Sequence, residues 1–477
     1  MTTHSDPGRA STRVLLISQD VIGPTMAGSG IRVWNLARVL SETCRVTLAA
    51  PLSGEIASDD VRIVSITLDE PTEIDPLLDE AEVVICNGNL LNDYPQLANL
   101  ETPWVVDAYV PTPTEALAAN AHRDMTERLA GCQLDSRVVN RFLSRADLVI
   151  CASERQRDLY IGLLASVGRL NPYNYDDDPT LRRLVDTVPY GLPADPPIHT
   201  RPVLKGVAQG IGSQDRLILW GGGLWNWFDP LTLLRAMVPL VERHPEARLV
   251  FPGTRHPFAQ RIPAMAMCAK AMSLSDRLGL TDRYVFFGDW AAYEDRPNYL
   301  LESDIGVSLH PEGVEPRYAY RTRILDYVWA GLPMVLSRGD VLADLAEREG
   351  LGIVVDPEDV EQVADALATL LDEEDAREQR AAAFARVASS MTWEQVAAPL
   401  VRFCQNPRPA ADLRAGLLAR SYADGDVARL TGDLQACEER VASLEALVRD
   451  YESGRFMRTM AALKRWRDAV LGRGKAR

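Results

Sequence analysis

Short apolar runs rich in β-branched residues alternate with helix-length amphipathic stretches along most of the chain, a pattern that predicts parallel α/β sheets. In the first half, Val14–Ser18, Arg45–Ala49, Val61–Ile66, Glu82–Cys86, Trp104–Asp107 and Asp147–Ala152 read as strands. Among the helical stretches between them, Ile31–Leu40 sets Val33, Leu36, Ala37 and Leu40 on one face. The Pro/Gly-rich passage Val188–Pro202 breaks the rhythm and reads as an interdomain linker. The alternation then resumes with Arg216–Trp220, Arg248–Phe251, Tyr284–Gly288, Asp304–Leu309, Pro333–Ser337 and Gly352–Val355. The expected architecture is α/β: two doubly wound, Rossmann-like domains, 13–190 and 203–390, facing each other across a cleft, with a helix over Met391–Cys404 (residues 391–405) after the second. Ligands of such sheets sit beyond the carboxyl ends of the strands.

The end of the chain carries a different period. Val427, Leu430, Leu434, Cys437, Val441, Leu444, Val448 and Tyr451 are spaced 3-4-3-4-3-4-3, the a/d seam of a coiled coil over residues 420–454. Parallel dimer, antiparallel pair and a different partner protein all fit that spacing. Residues 455–477 hold eight Lys/Arg and one acid, Asp468, a local charge of +7. Phe456, Met457, Met460, Leu463, Trp466, Val470 and Leu471 interleave with those cations at roughly helical spacing, as in a helix lying on an anionic membrane surface.

The charge changes the picture of the partners. Over 477 residues, 51 Lys+Arg against 67 Asp+Glu give −16, so without the tail the body carries −23. Such a body argues against nucleic acid as a partner, because phosphate contacts need a basic surface. The seven cysteines are widely spaced with no C-x2-C pair, which points to neither a disulfide framework nor a zinc site, and no metal ligand set is expected. No apolar signal-peptide core opens the sequence and no apolar stretch reaches a membrane-spanning length, so a cytoplasmic protein, peripheral at the inner face of the cell membrane, is expected.

Three strand-to-helix transitions carry candidate chemistry. In Gly23–Gly30 (GPTMAGSG), after the first strand, small residues including Gly28 and Gly30 let a ligand approach the backbone beside a helix N-terminus. In Trp220–Leu234 (WGGGLWNWFDPLTLL), Gly222 and Gly223 leave a strand end open, Trp225 offers a flat face to a sugar or base, and Asp229 before Pro230 reads as a helix cap. In His310–Val335 (HPEGVEPRYAYRTRILDYVWAGLPMV), Arg317, Arg321 and Arg323 cluster where a helix over Tyr320–Ala330 begins, and guanidinium forks with free helix N–H groups suit a diphosphate. Asp326 can accept from ribose hydroxyls or pair with Arg323 one turn away.

At these residues the chain resembles the family 4 type of GT-B-fold glycosyltransferases, over about residues 13–405. LDYVWAGLPMV is the counterpart of the family's LEAMACGLPVV, with Asp326 at the second Glu of a Glu-x7-Glu pattern, the ribose-binding position. Tyr318 stands where the first Glu belongs, with Glu315 the nearest acid to fill that role. The family's basic pair after the first strand of the second domain is replaced by the Gly/Trp loop, which leaves Arg321 and Arg323 to supply the charge. ASERQRD (Ala152–Asp158), WGGGLWNWFDP and RTRILDYVWAGLP together are similar to a narrower subgroup. The resemblance implies glycosyl transfer from a nucleotide-sugar, with retention and with no metal or other cofactor required. It implies catalytic roles for Asp107 and Glu315 and acceptor-side roles for Gly28, Gly30 and Tyr109. A lipid-linked or surface-polysaccharide acceptor is expected. A non-catalytic sugar-nucleotide-binding scaffold and a sugar-nucleotide 2-epimerase are the alternatives.

Overall fold

The computed structural model describes residues 11–68, 70–256, 265–373, 375–417, 434–446 and 455–472. The first sheet contains β1 (Arg13–Ile17), β2 (Arg45–Ala50), β3 (Val61–Ser65), β4 (Val83–Asn87), β5 (Trp104–Asp107), β6 (Leu148–Cys151) and β7 (Val185–Thr187), in the order β3-β2-β1-β4-β5-β6-β7. The second contains β8 (Arg216–Leu219), β9 (Ala247–Phe251), β10 (Val285–Phe287), β11 (Ile305–Ser308), β12 (Met334–Ser337) and β13 (Gly352–Val355), in the order β10-β9-β8-β11-β12-β13. Neighbouring strands run parallel, with Val14 opposite Val46 in the first sheet and Ile305 opposite Ile218 in the second. The two expected doubly wound domains are therefore present.

The continuous apolar character of the strands follows from burial on both faces. In β1, Val14 and Leu16 enter one core while Leu15 and Ile17 enter another on the opposite face. In both sheets the order reverses beside the first strand, between β1 and β4 and between β8 and β11. The loops after β1, β8 and β11 thus flank the two switch points, where an open α/β sheet leaves a crevice.

Two elements differ from expectation. Strand β7 has three residues, VDT, too few to carry a hydrophobic pattern. The helix expected over Met391–Cys404 is two, Trp393–Val396 and Ala398–Gln405, because Pro399 has no N–H to continue the ladder. Trp393 packs on Tyr190 with ring centroids 4.7 Å apart, and its N–H donates to Leu192 O at 3.1 Å. Leu400 and Cys404 then join the core that holds Leu40 and Cys44, so the chain returns to the first domain.

A strap after that helix is fixed by buried charge. Arg169 Nε donates to Asp412 Oδ2 at 2.7 Å and its Nη2 to Oδ1 at 3.1 Å, both side chains being essentially inaccessible. Arg169 Nη1 donates to the carbonyls of Leu143 and Ala146, and Asp147 accepts from Ala410 N. A cavity of about 470 Å³ lies between strap and domain.

Residues 420–477 form a separate unit. Within it, 434–446 and Arg455–Gly472 are helical, and Leu434, Val441, Leu444, Met460, Leu463, Trp466 and Val470 are exposed. Val427, Leu430, Val448 and Tyr451 of the expected coil, and residues 473–477 of the basic end, lie outside the described residues. No described helix is long and apolar enough to cross a membrane.

Candidate functional site

The cleft holds a cavity of about 160 Å³ at the carboxyl ends of β1 and β8. The first domain contributes Met26 to Gly28 and Tyr190; the second contributes Gly221 to Gly223, Trp225, Arg296, Arg323 and Asp326. Five expected binding residues, Gly222, Gly223, Trp225, Arg323 and Asp326, thus meet in one place, with Gly28 facing them.

The glycine loop has the backbone that its sequence requires. Gly222 has φ +85°, the left-handed region, and a Cβ on Gly223 would lie 2.9 Å from the Trp225 ring. The loop is held by Tyr327, whose hydroxyl accepts from Gly221 N at 2.8 Å and lies 2.8 Å from Val307 O and 3.1 Å from Leu219 O. The Tyr327 ring rests on Gly306, where a Cβ would approach it to 2.6 Å. Trp225 stacks on Trp227 at 5.6 Å and 5° between planes, and the cavity wall continues to Trp290. Asp229 caps its helix, accepting from Thr232 N at 3.0 Å.

Arg323 reaches from the first turn of the Thr322–Trp329 helix into the glycine loop. Its Nη2 donates to Gly223 O at 2.8 Å, and its guanidinium lies 3.9 Å from the Phe228 ring centroid and 4.8 Å from that of Trp220. Its Nη1 is buried without a partner among the described residues. Burial, with Arg321 pushing the same way, lowers its pKa to about 10, which leaves it a cation at neutral pH. Asp326 sits 3.6 Å from Arg296 Nη1. Burial raises the Asp326 pKa, and Arg296 and Arg323 oppose that rise. The Arg296 guanidinium lies 5.0 Å over both Tyr293 and Trp329. Nothing in the local pattern around Arg296 marked it, since only the fold brings it to Asp326.

The remaining expected residues lie elsewhere. Asp107 is bound by Arg32, Nε to Oδ2 at 2.7 Å and Nη2 to Oδ1 at 3.1 Å, and Arg32 Nη1 donates to Pro189 O at 2.9 Å. Glu315 forms a buried pair with Arg321, which also stacks 4.5 Å over Phe228. Glu315 Oε1 and Arg321 Nε have no partner among the described residues, and burial raises the Glu315 pKa. Arg317 is exposed. Gly30 packs on its own loop, where a Cβ would meet Val21 O at 2.5 Å. Neither carboxylate expected to act on the reacting sugar, nor Arg317, Arg321, Gly30 or Tyr109, lines the cavity.

Tyr109 instead joins the domains. Its hydroxyl donates to Tyr320 O at 2.8 Å, and Gln156 Nε2 donates to both Tyr109 O at 2.9 Å and Tyr318 O at 2.7 Å. Arg155 donates to Gly339 O at 3.1 Å and pairs with Asp344. The ASERQRD segment is thus a clasp across the cleft, begun by Ser153 capping the Glu154–Ser166 helix. Glu115, on the Thr112–Ala119 helix, feels the Glu315–Arg321 pair of the other domain. Burial, with Glu315 adding to it and Arg321 opposing, raises its pKa to about 7.

Residues 215–373 match the family described as Glycosyl transferases group 1. The match spans β8 to β13, the second domain. With the first domain it makes the GT-B fold, and the chain is a glycosyltransferase. No curated protein matches the sequence. Among solved structures, sucrose-phosphate synthase from Thermosynechococcus elongatus superposes with a TM-score of 0.57 at 17% identity, covering 85% of this chain and 100% of that one. HepE from Anabaena, solved with UDP and glucose, gives 0.57 at 15% identity, with 82% and 100% covered. A trehalose-phosphate synthase from Burkholderia xenovorans, solved with glucose-6-phosphate, gives 0.57 at 14%, with 83% and 100% covered. At these identities the likeness is one of fold, and the group 1 match carries the chemistry.

Proposed function

We propose that the chain moves a sugar from a nucleoside-diphosphate sugar, with retention, to a lipid-linked or surface-polysaccharide acceptor at the inner face of the cell membrane. The observation that carries the donor half is the unpartnered Nη1 of Arg323 beside Gly222 and Gly223. A buried guanidinium nitrogen with no acceptor costs stability unless a ligand supplies one, and a diphosphate supplies two charged oxygens. Arg323 stands in for the basic pair missing from the glycine loop, and the N–H groups that begin its helix add to the attraction. Asp326 accepts from the ribose, and UDP or UDP-glucose in the Anabaena neighbours makes a uridine donor the first to test. Glu315 offers Oε1 to a sugar hydroxyl, while Asp107 positions Arg32 and the loop below Tyr109.

The cavity of about 160 Å³ is smaller than the roughly 300–1,000 Å³ of ordinary ligand sites, and parting of the Tyr109–Gln156 contacts between the domains would widen it for a donor. A thermal-shift titration tests the donor half. A nucleoside diphosphate at 100 times its Kd adds about 2.7 kcal/mol to the folded state. Arg323→Ala is expected to weaken that binding roughly 10- to 100-fold, the loss of one charge-assisted hydrogen bond of about 1.5–3 kcal/mol. No shift with any nucleoside diphosphate would sink the assignment.

The tail supports the membrane half. Met460, Leu463, Trp466 and Val470 are exposed on the Arg455–Gly472 helix among Arg458, Lys464, Arg465 and Arg467. Each such cation contributes about 1 kcal/mol near an anionic surface. Deleting 455–477 is expected to release the protein from anionic vesicles in a flotation assay; equal flotation of the truncated chain would refute the docking role.

A further inference from the structure

Arg296 and Asp326 meet in the cleft cavity without closing on each other. Arg296 Nη1 stands 3.6 Å from Asp326 Oδ1, whereas a charge-assisted hydrogen bond between such groups closes to about 2.7–2.9 Å. Among the described residues, no hydrogen-bond donor reaches the Asp326 carboxylate. Both side chains line the cavity and keep part of their surface open, 17% for Arg296 and 21% for Asp326.

The gap is set by what holds each residue. Arg296 opens the Arg296–Glu302 helix, which is tied to the linker: Asn298 Oδ1 accepts from Thr200 N, and the Glu302 carboxylate accepts from Val203, Leu204 and Lys205 N, each at 2.8 Å. Its guanidinium is steadied over the Tyr293 and Trp329 rings. Asp326 is placed by the Thr322–Trp329 helix, whose next residue, Tyr327, is pinned to Gly221, Leu219 and Val307.

A carboxylate that only accepts and a guanidinium that only donates, side by side, match two neighbouring hydroxyls: one donates to Asp326 while the other accepts from Arg296. We propose that Arg296 completes a two-point clamp on the 2′,3′-diol of the donor's ribose. The enzyme then takes ribonucleoside-diphosphate sugars and rejects 2′-deoxy donors, thymidine-diphosphate sugars among them. The clamp rests on the donor site assigned above and adds to it the residue that reads the nucleotide's own sugar. A deoxyribose leaves one of the two charged groups unmet in a largely desolvated place, the loss by which a site built for a hydroxyl turns away an analogue lacking it.

Calorimetric titration of the full chain with UDP, GDP and ADP identifies the base, and the 2′-deoxy and 3′-deoxy forms of that nucleotide test the clamp. In wild type each missing hydroxyl is expected to weaken binding about 10- to 100-fold. In Arg296→Met the ribonucleotide is expected to weaken by a similar factor, with the loss for one deoxy form gone and that for the other standing. The double variant Arg296→Met with Asp326→Leu, which leaves no charge buried alone, is expected to bind all three forms alike. Equal binding of the three forms by wild type overturns the clamp and leaves the donor site standing. So does a folded variant of either kind that keeps both losses. Binding of none of the three ribonucleotides overturns the clamp and the donor site together.

Discussion

Asp107→Ala separates two roles for a residue at the end of β5. The carboxylate is joined by two hydrogen bonds to Arg32, whose side chain is 2% exposed. Removing it leaves the guanidinium buried with Pro189 O as its remaining hydrogen-bond acceptor and the Tyr109 ring 4.7 Å away. Breaking one side of a buried ion pair costs about 3–5 kcal/mol, since the remaining charge keeps its desolvation penalty. For a domain of this size, that lowers the melting temperature by about 6–20 °C. Replacing both partners, Arg32→Met with Asp107→Leu, removes the charges together and is expected to recover most of the loss. Circular dichroism melts of the three proteins, with transfer activity measured well below the transition, give both readouts. An Asp107→Ala protein that melts within about 1 °C of wild type yet has lost transfer would refute the positioning role and return Asp107 to the reacting sugar.

Glu115 binds its proton more tightly in the folded protein, with a pKa of about 7 against 4.5. The folded state therefore loses stability as pH rises from about 4.5 through 7. Glu115→Gln is expected to melt with wild type at pH 4, to gain on it across that interval and to hold its lead above pH 7; parallel melting-temperature profiles would exclude this origin. Tyr327→Phe leaves Gly221 N–H without its acceptor, at a cost of about 1–2 kcal/mol in a urea titration, and loosens the glycine loop so that nucleoside diphosphate binding weakens as well. A variant with both quantities unchanged would show that the loop does not depend on that hydroxyl.

The strands were legible because a parallel strand covered on both faces must be apolar throughout, as in Val14 to Ile17 or Ile305 to Val307. The glycine loop and the Thr322–Trp329 helix were legible for a similar reason: each holds its chemistry within a few consecutive residues. Contacts made by folding were not. Arg32 sits 75 residues from Asp107 and reads locally as one more cation on a helix. The Tyr109–Tyr320 bond spans 211 residues and Gln156–Tyr318 spans 162, so the ASERQRD segment was visible as a motif while its role as a clasp was not. Tyr327 lay beside a recognised residue and Arg296 far from any, and a hydroxyl holding Gly221 and a guanidinium aimed at Asp326 leave no periodic trace.

The strap fastened by Arg169 and Asp412 decides which half of the enzyme bears the C-terminal unit. The polypeptide comes back from the second domain through Trp393 and Cys404, is bolted down at Ala410 and Asp412, and only then continues to residues 420–477. Whatever those last residues grip, the first domain carries the load, and the second is held to it through the linker at one side and the Trp393 crossing at the other.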